Sequence, residues 1–213
     1  MSKKRILCYG DSNTWGCMPG PGDRYPEDVR WTGILQQKLG DGYTVIEEGH
    51  NGRTTVWDDP IENRLSGLTY FTPCVESHSP LDLIIIALGV NDLKPRFGVS
   101  AGSIAGSLER YFSALKTIPL HGSDPQVLIV SPAYVHPEYA KNRLIYGIYG
   151  DRAYERSREL APEYQIIAEK YDAGFLDAAL YAQADPLDGI HLDAPSHARL
   201  AEAFEKKIRE MIG

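Results

Sequence analysis

Five short apolar runs, separated by stretches of helical period, restrict this chain to a narrow set of folds. The runs cover residues 5–9, 43–46, 83–88, 127–130 and 174–176. The third reads Leu-Ile-Ile-Ile-Ala-Leu without a polar interruption, which suits a strand covered by helices on both faces. Between the runs, residues 31–39 place Trp31, Ile34, Leu35 and Leu39 on one stripe. Residues 104–115 likewise group Ile104, Leu108, Tyr111, Phe112 and Leu115, and the pattern repeats over 160–171 and 197–212. Strands alternating with helices predict a parallel, doubly wound sheet with right-handed crossovers. The length of 213 residues fits one α/β domain over 1–213. Two stretches depart from the alternation. Residues 57–78 form a long connection of weak helical period, and residues 132–150 are rich in Tyr, Pro and Gly. Connections of this length are lids or interfaces, or else plain surface excursions.

Composition removes several classes of function. The formal charge is −7 and no basic run is present, so a phosphate backbone would be repelled and nucleic acid is not an expected partner. The apolar runs are too short to cross a bilayer, and no membrane association is expected. The basic N-terminus lacks an apolar stretch of signal-peptide length, which predicts a cytoplasmic protein. Cys8, Cys17 and Cys74 are odd in number and irregular in spacing, the pattern of free thiols rather than of a disulfide framework. The six histidines (His50, His78, His121, His136, His191 and His197) show no His-x-x-x-His or Glu-paired spacing. Neither a metal nor another cofactor is therefore expected.

In an open parallel sheet, ligands bind beyond the carboxyl ends of the strands. Gly10-Asp11-Ser12-Asn13 follows the first run, the segment from Glu47 to Arg53 the second, and Gly89-Val90-Asn91-Asp92 the third. Asp188-Gly189-Ile190-His191 comes after the fifth run and a short excursion. Brought to one edge, these segments hold the parts of an acyl-transfer site. A serine hydroxyl becomes a useful nucleophile only when a base takes its proton. Ser12 sits in a tight turn where Gly10 relieves crowding, and a helix starting there would aim free N–H groups at the same spot. His191 titrates near neutrality and can be that base. A turn at Gly189 would let Asp188 accept from the imidazole Nδ1–H and leave Nε2 facing Ser12. The Ser12 N–H, the Gly52 N–H and the Asn91 carboxamide are candidate oxyanion donors, each worth about a hundred- to a thousandfold in rate. Asp177, at the end of the fifth run, competes with Asp188 as partner of the histidine.

Other residues have two readings each. Asp11 either pins the turn or belongs to the site. Trp15, Cys17, Met18, Pro19 and Ile190 either form an apolar wall for the acyl group or pack into the core. Among these neighbours, Asp11, Trp15 and Ile190 are the candidate substrate-binding residues. A tight wall would favour acetyl over longer chains, since discrimination runs to about 1–3 kcal/mol per methylene. His50 either lines the pocket or lies on a surface loop. Gly98-Val-Ser100-Ala-Gly102 matches the elbow of another hydrolase class, but Lys94-Pro-Arg-Phe97 before it reads as loop, so Ser100 is expected to cap a helix.

Gly-Asp-Ser-Asn, the Gly52 loop, Gly89-Val-Asn91-Asp and Asp188-Gly-Ile-His191 together resemble the four ordered blocks of the SGNH, or GDSL-type, hydrolases. The stretches 28–35, 45–49 with 53–55, and 81–86 are similar to the bacterial arylesterase/acyltransferase branch. The resemblance implies a flavodoxin-like three-layer α/β/α sandwich with a five-stranded parallel sheet. It also implies metal-free hydrolysis of small acetyl, short-chain or aryl esters through an acyl-enzyme, transfer to alcohols as well as to water, and a homo-oligomer. Residue by residue it makes Ser12 the nucleophile, Asp188 and His191 the pair behind it, and Gly52 and Asn91 oxyanion donors. One position departs: Gly49 stands where the second block commonly has Asn. Two other readings remain at this stage. One is a carbohydrate O-deacetylase with the same triad, whose tyrosines between 134 and 154 would stack on sugar or pack on another subunit. The other is a flavodoxin-like binding module without chemistry, although Asp11 would repel a flavin phosphate.

Overall fold

Each of the five apolar runs forms a strand, and helices fill the intervals between them. In chain order the elements are β1 (Lys4–Gly10), α1 (Ser12–Trp15), α2 (Trp31–Leu39), β2 (Tyr43–Gly49), α3 (Gly67–His78), β3 (Leu83–Ala87), α4 (Ala101–Ser107), α5 (Glu109–Leu115), β4 (Gln126–Ser131), α6 (Arg143–Tyr149), α7 (Ala153–Ser157), α8 (Leu160–Lys170), β5 (Gly174–Asp177) and α9 (Ala194–Ile212). The computed structural model describes residues 3–20 and 22–213. All strand pairs are parallel, in the order β2-β1-β3-β4-β5. This is the doubly wound order, whose switch point opens a crevice beyond the carboxyl ends of β1 and β3.

Period-2 side chains send the two faces of the sheet into separate cores. Leu7, Tyr9, Ile84, Ile86, Val127 and Ile129 pack with residues of α3, α4, α5 and α8, whereas Ile6, Cys8, Leu83, Ile85, Leu128 and Val130 pack with residues of α2 and α9. The uninterrupted run in β3 is thereby explained, since both of its faces are buried. Trp31 of α2 stacks on Phe204 of α9 at 4.4 Å between ring centroids and joins the two helices of that layer.

Three local expectations differ from the observed elements. The 57–78 connection contains a three-turn helix, α3, with Pro73 inside it. Proline removes an N–H from the helical ladder, and burial of Phe71, Cys74 and Val75 against the sheet compensates. The helix expected over 104–115 divides at Leu108 into α4 and α5. There the Ser107 hydroxyl lies within hydrogen-bond distance of both the Ile104 carbonyl, at 2.6 Å, and Thr55 Oγ1, at 2.7 Å, a local competition that bends helices. The 132–150 stretch is not bare loop. It carries a 3-10 turn over Pro137–Lys141 and then α6, capped by the Asn142 side chain.

Candidate active site

The turn after β1 is tight because α1 begins at once. Asp11 caps it by accepting from the Asn13 N–H at 2.9 Å, and Ser12 occupies its first residue, buried at 4% exposure. The helix axis crosses close over the ends of β1 and β2. A Cβ on Gly49 would lie 2.1 Å from the Trp15 nitrogen. A side chain at 49 therefore has no room, which is the physical reason for glycine where an Asn was anticipated.

His191 reaches this turn although it follows β5, because its loop folds back. Ala184 and Leu192 form an antiparallel bridge, the Asp185 N–H donates to the His191 carbonyl at 2.8 Å, and the Gly189 N–H donates to the Asp185 carbonyl at 2.7 Å. Gly189 has φ +76° and a Cβ there would meet Tyr139 Cβ at 2.4 Å, so both conformation and space require glycine. The loop is then latched to the serine turn by Asn13. Its Nδ2 donates to the Ile190 carbonyl at 3.2 Å and its Oδ1 accepts from the Leu192 N–H at 3.0 Å.

The result is a linear chain of groups. His191 Nε2 lies 3.1 Å from Ser12 Oγ, and His191 Nδ1 lies 2.8 Å from Asp188 Oδ2. Asp188 is buried and accepts three further bonds, from the N–H groups of Ile190 at 2.9 Å, His191 at 2.9 Å and Gly20 at 3.0 Å. Burial opposes its ionisation, but the hydrogen bond and charge of His191 and the backbone donors prevail and hold its pKa at about 2. For His191, burial disfavours the cation, while the bond to Asp188, the neighbouring Cys17 sulphur and the Asp188 charge outweigh it. The imidazole therefore titrates above its ordinary 6.5. Asp177, the competing acid, caps the Ala179 N–H at 3.0 Å and makes no bond to His191 among the described residues.

Beyond Ser12 lies a cavity of about 210 Å³, lined on its polar side by Gly52, Asn91, Glu62 and Lys94 and on its apolar side by Ile145, Ile148, Tyr149 and Ile190, with Cys17 and His191 also facing it. The N–H groups of Ser12 and Gly52 are taken by no other described residue. Asn91 Nδ2 donates to the Arg53 carbonyl at 3.1 Å, which leaves its second N–H for the cavity. Arg53 ties these loops together. It is buried, lies 4.1 Å over the Tyr9 ring, and donates to the Gly10 carbonyl at 2.8 Å and to the Glu48 carbonyl. Asp92 adds a second tie by accepting from the Thr55 N–H at 2.9 Å and the Thr55 hydroxyl at 2.6 Å. Lys94 is 1% exposed. Its ammonium pairs with Glu62 at 2.8 Å and Asp59 at 3.4 Å, and Arg96 binds the same two acids at 2.8 and 3.2 Å.

The structure thus brings Ser12, His191, Asp188, Gly52, Asn91 and Ile190 to one cavity. Two of the three candidate substrate-binding residues do not line it. Asp11 is buried behind the turn, where burial above all pushes its pKa to about 6. Trp15, three residues beyond Ser12, does not line the cavity and carries Arg24 5.3 Å over its ring. His50 is exposed and borders a separate groove with Arg53, Arg64 and Tyr70. Ser100 caps α4 by accepting from the Ser103 N–H at 3.1 Å. The three cysteines are free and buried. Among the described residues, Glu48, Cys74 and His78 bring three potential ligand atoms within 4.8 Å of one another. That trio lies outside the Ser12 cavity, and Glu48 and His78 already pair at 2.9 Å. Sequence reasoning missed Asn13, Arg53, Lys94 and Tyr149. The Asn and Arg stood inside quoted blocks, but nothing local marked them as ties between distant loops.

A family described as "GDSL-like Lipase/Acylhydrolase family" matches residues 8–199. An aryl esterase from M. smegmatis is 37% identical with a TM-score of 0.92, the match covering 98% of this chain and 100% of that one. A carbohydrate acetylesterase from Sinorhizobium meliloti is 38% identical with a TM-score of 0.90, covering 99% and 100%. A lipolytic protein of the G-D-S-L family from Veillonella parvula shares the fold at 15% identity and a TM-score of 0.64, covering 98% of each chain. No curated protein matches this sequence. Among the described residues no helix is long and apolar enough to cross a membrane.

Proposed function

The chain belongs to the GDSL-like lipase/acylhydrolase family and is a carboxylic-ester hydrolase; from that premise we propose that Ser12 carries the acyl group between two half-reactions. Ser12 Oγ attacks the ester carbonyl while its proton passes to His191 Nε2, and Asp188 holds the imidazole by Nδ1–H and stabilises the cation that forms. The new oxyanion accepts from the Ser12 N–H, the Gly52 N–H and the free Asn91 N–H. Collapse expels the alcohol, which takes the proton back from His191. Water or a second alcohol then repeats the sequence on the acyl-enzyme, so the same site hydrolyses and transfers. The observation that carries this reading is the pair of distances at His191, 3.1 Å to Ser12 Oγ and 2.8 Å to Asp188.

The cavity of about 210 Å³ is below the usual ligand-pocket range of roughly 300–1,000 Å³, which supports acetyl or short acyl groups. A second reading, deacetylation of a carbohydrate, is favoured by the charged wall of Glu62 and Lys94. Rates on aryl acetate and acetylated sugar distinguish the two. The Ser12→Ala protein should lose at least about a thousandfold in p-nitrophenyl acetate turnover, the remainder coming from the oxyanion donors. Full turnover by that variant contradicts the mechanism. Acetyl transfer is read as ester product when an alcohol is added. The homo-oligomer expected from the resemblance is read by light scattering, against a chain mass of 23.7 kDa.

A further inference from the structure

The segment between β4 and α8 enters the site through α6, and its last residue, Tyr149, is buried at 4% exposure. The Tyr149 hydroxyl lies 3.3 Å from Asn91 Oδ1. Tyr149 also lines the same cavity as Ser12 and Gly52. Asn91 is therefore held at three points. Its backbone belongs to the 3-10 turn Asn91–Leu93, one N–H of its carboxamide donates to the Arg53 carbonyl at 3.1 Å, and its oxygen faces the phenol.

A carbonyl only accepts, so the atom toward Arg53 must be the nitrogen and the atom toward Tyr149 must be the oxygen. Burial strongly raises the Tyr149 pKa, so the phenol keeps its proton and acts as a donor. That donation fixes the plane of the amide, and the remaining N–H then has one direction, into the cavity. Chained hydrogen bonds also polarise one another, so a phenol on the oxygen makes the opposite N–H a better donor.

We propose that Tyr149 is a positioning residue for catalysis, orienting and polarising the Asn91 carboxamide so that its free N–H meets the oxyanion. The proposal rests on the reading of Ser12 as nucleophile and Asn91 as donor. It gives the Tyr-rich segment a role in the chemistry beyond walling the pocket. Because Tyr149 acts only through Asn91, its contribution vanishes once that carboxamide is gone.

The test is a double-mutant cycle on p-nitrophenyl acetate with Tyr149→Phe, Asn91→Ala and the double variant, with Ser12→Ala measured beside them. Tyr149→Phe keeps the ring, and a melting curve verifies its fold. The expected result is a fall in kcat of about tenfold with KM within about twofold, and a matching slowing of phosphonylation at Ser12. In the Asn91→Ala background the same substitution should change kcat by less than about twofold. Tyr146→Phe, on the same helix but with its hydroxyl on Asp151 outside the cavity, should match the parent. Unchanged kcat in Tyr149→Phe, or the same tenfold loss with and without Asn91, overturns the proposal. Should Asn91→Ala retain full activity, Tyr149 has nothing to act through and the proposal fails, while loss in Ser12→Ala would leave the nucleophile in place.

Discussion

Asn13→Ala removes the latch between the serine turn and the histidine loop. Two hydrogen bonds are lost, to the Ile190 carbonyl at 3.2 Å and from the Leu192 N–H at 3.0 Å. Ile190 and Leu192 are both buried, so their backbone groups lose a partner that water replaces poorly. Each buried, unpaired polar group costs about 1–3 kcal/mol. The pair is expected to cost about 2–4 kcal/mol, allowing for partial solvation at Asn13. At roughly 2–4 °C per kcal/mol for a chain of this size, the melting temperature should fall by about 5–15 °C. Activity should fall further than stability explains. His191 lies between the two latched residues, and a base displaced by about 1 Å costs on the order of a hundredfold. The assay is thermal unfolding of the variant followed by p-nitrophenyl acetate kinetics well below its transition. A melting temperature within about 1 °C of the parent, together with kcat within about twofold, would refute the argument that Asn13 joins the two loops.

Three further outcomes follow from the same geometry. Activity should rise with pH on a limb whose midpoint lies above 6.5, because His191 must be neutral to accept the proton and its pKa is raised; a midpoint at or below 6.5 contradicts this. The stability that His191 gains from Asp188 is full below about 6.5 and fades as pH climbs through the raised folded value, so activity and this part of stability move oppositely. Asp188→Asn should lower kcat by about 10³–10⁴-fold, whereas Asp177→Asn should leave it near the parent; the reverse ranking would make Asp177 the partner of His191. Gly49→Ala should cost about 1–3 kcal/mol by overpacking against the Trp15 backbone, read from a chemical melt; a neutral result would remove the close crossing as the reason for glycine.

What the sequence disclosed and what it withheld differ in physical kind. The strands were legible because burial on two faces writes an unbroken apolar run, as in β3, and the helices α2 and α9 because burial on one face writes a stripe. Ser12, Gly52, Asn91, Asp188 and His191 were locatable because each follows a strand or turn signal that the parallel order carries to one edge. Helix α3 was obscured by Pro73, whose local penalty is overcome by tertiary packing that no window of sequence contains. The break at Leu108 depends on Ser107 meeting Thr55, a contact between elements. Asn13 meets Ile190 across 177 positions and Tyr149 meets Asn91 across 58, and neither partner bears a pattern that predicts the other. Trp15 stood as a candidate for the pocket wall or the core from its nearness to Ser12 along the chain, but its ring pairs with Arg24 and does not line the cavity.

The most direct measurement is intact mass and peptide mapping after exposure to a p-nitrophenyl alkylphosphonate, on the parent chain and on His191→Ala. One adduct per chain on Ser12, forming at least about a hundredfold more slowly without the imidazole, is the predicted result. An adduct on another residue, no adduct, or an equal rate in both proteins would contradict an alcohol activated by that histidine.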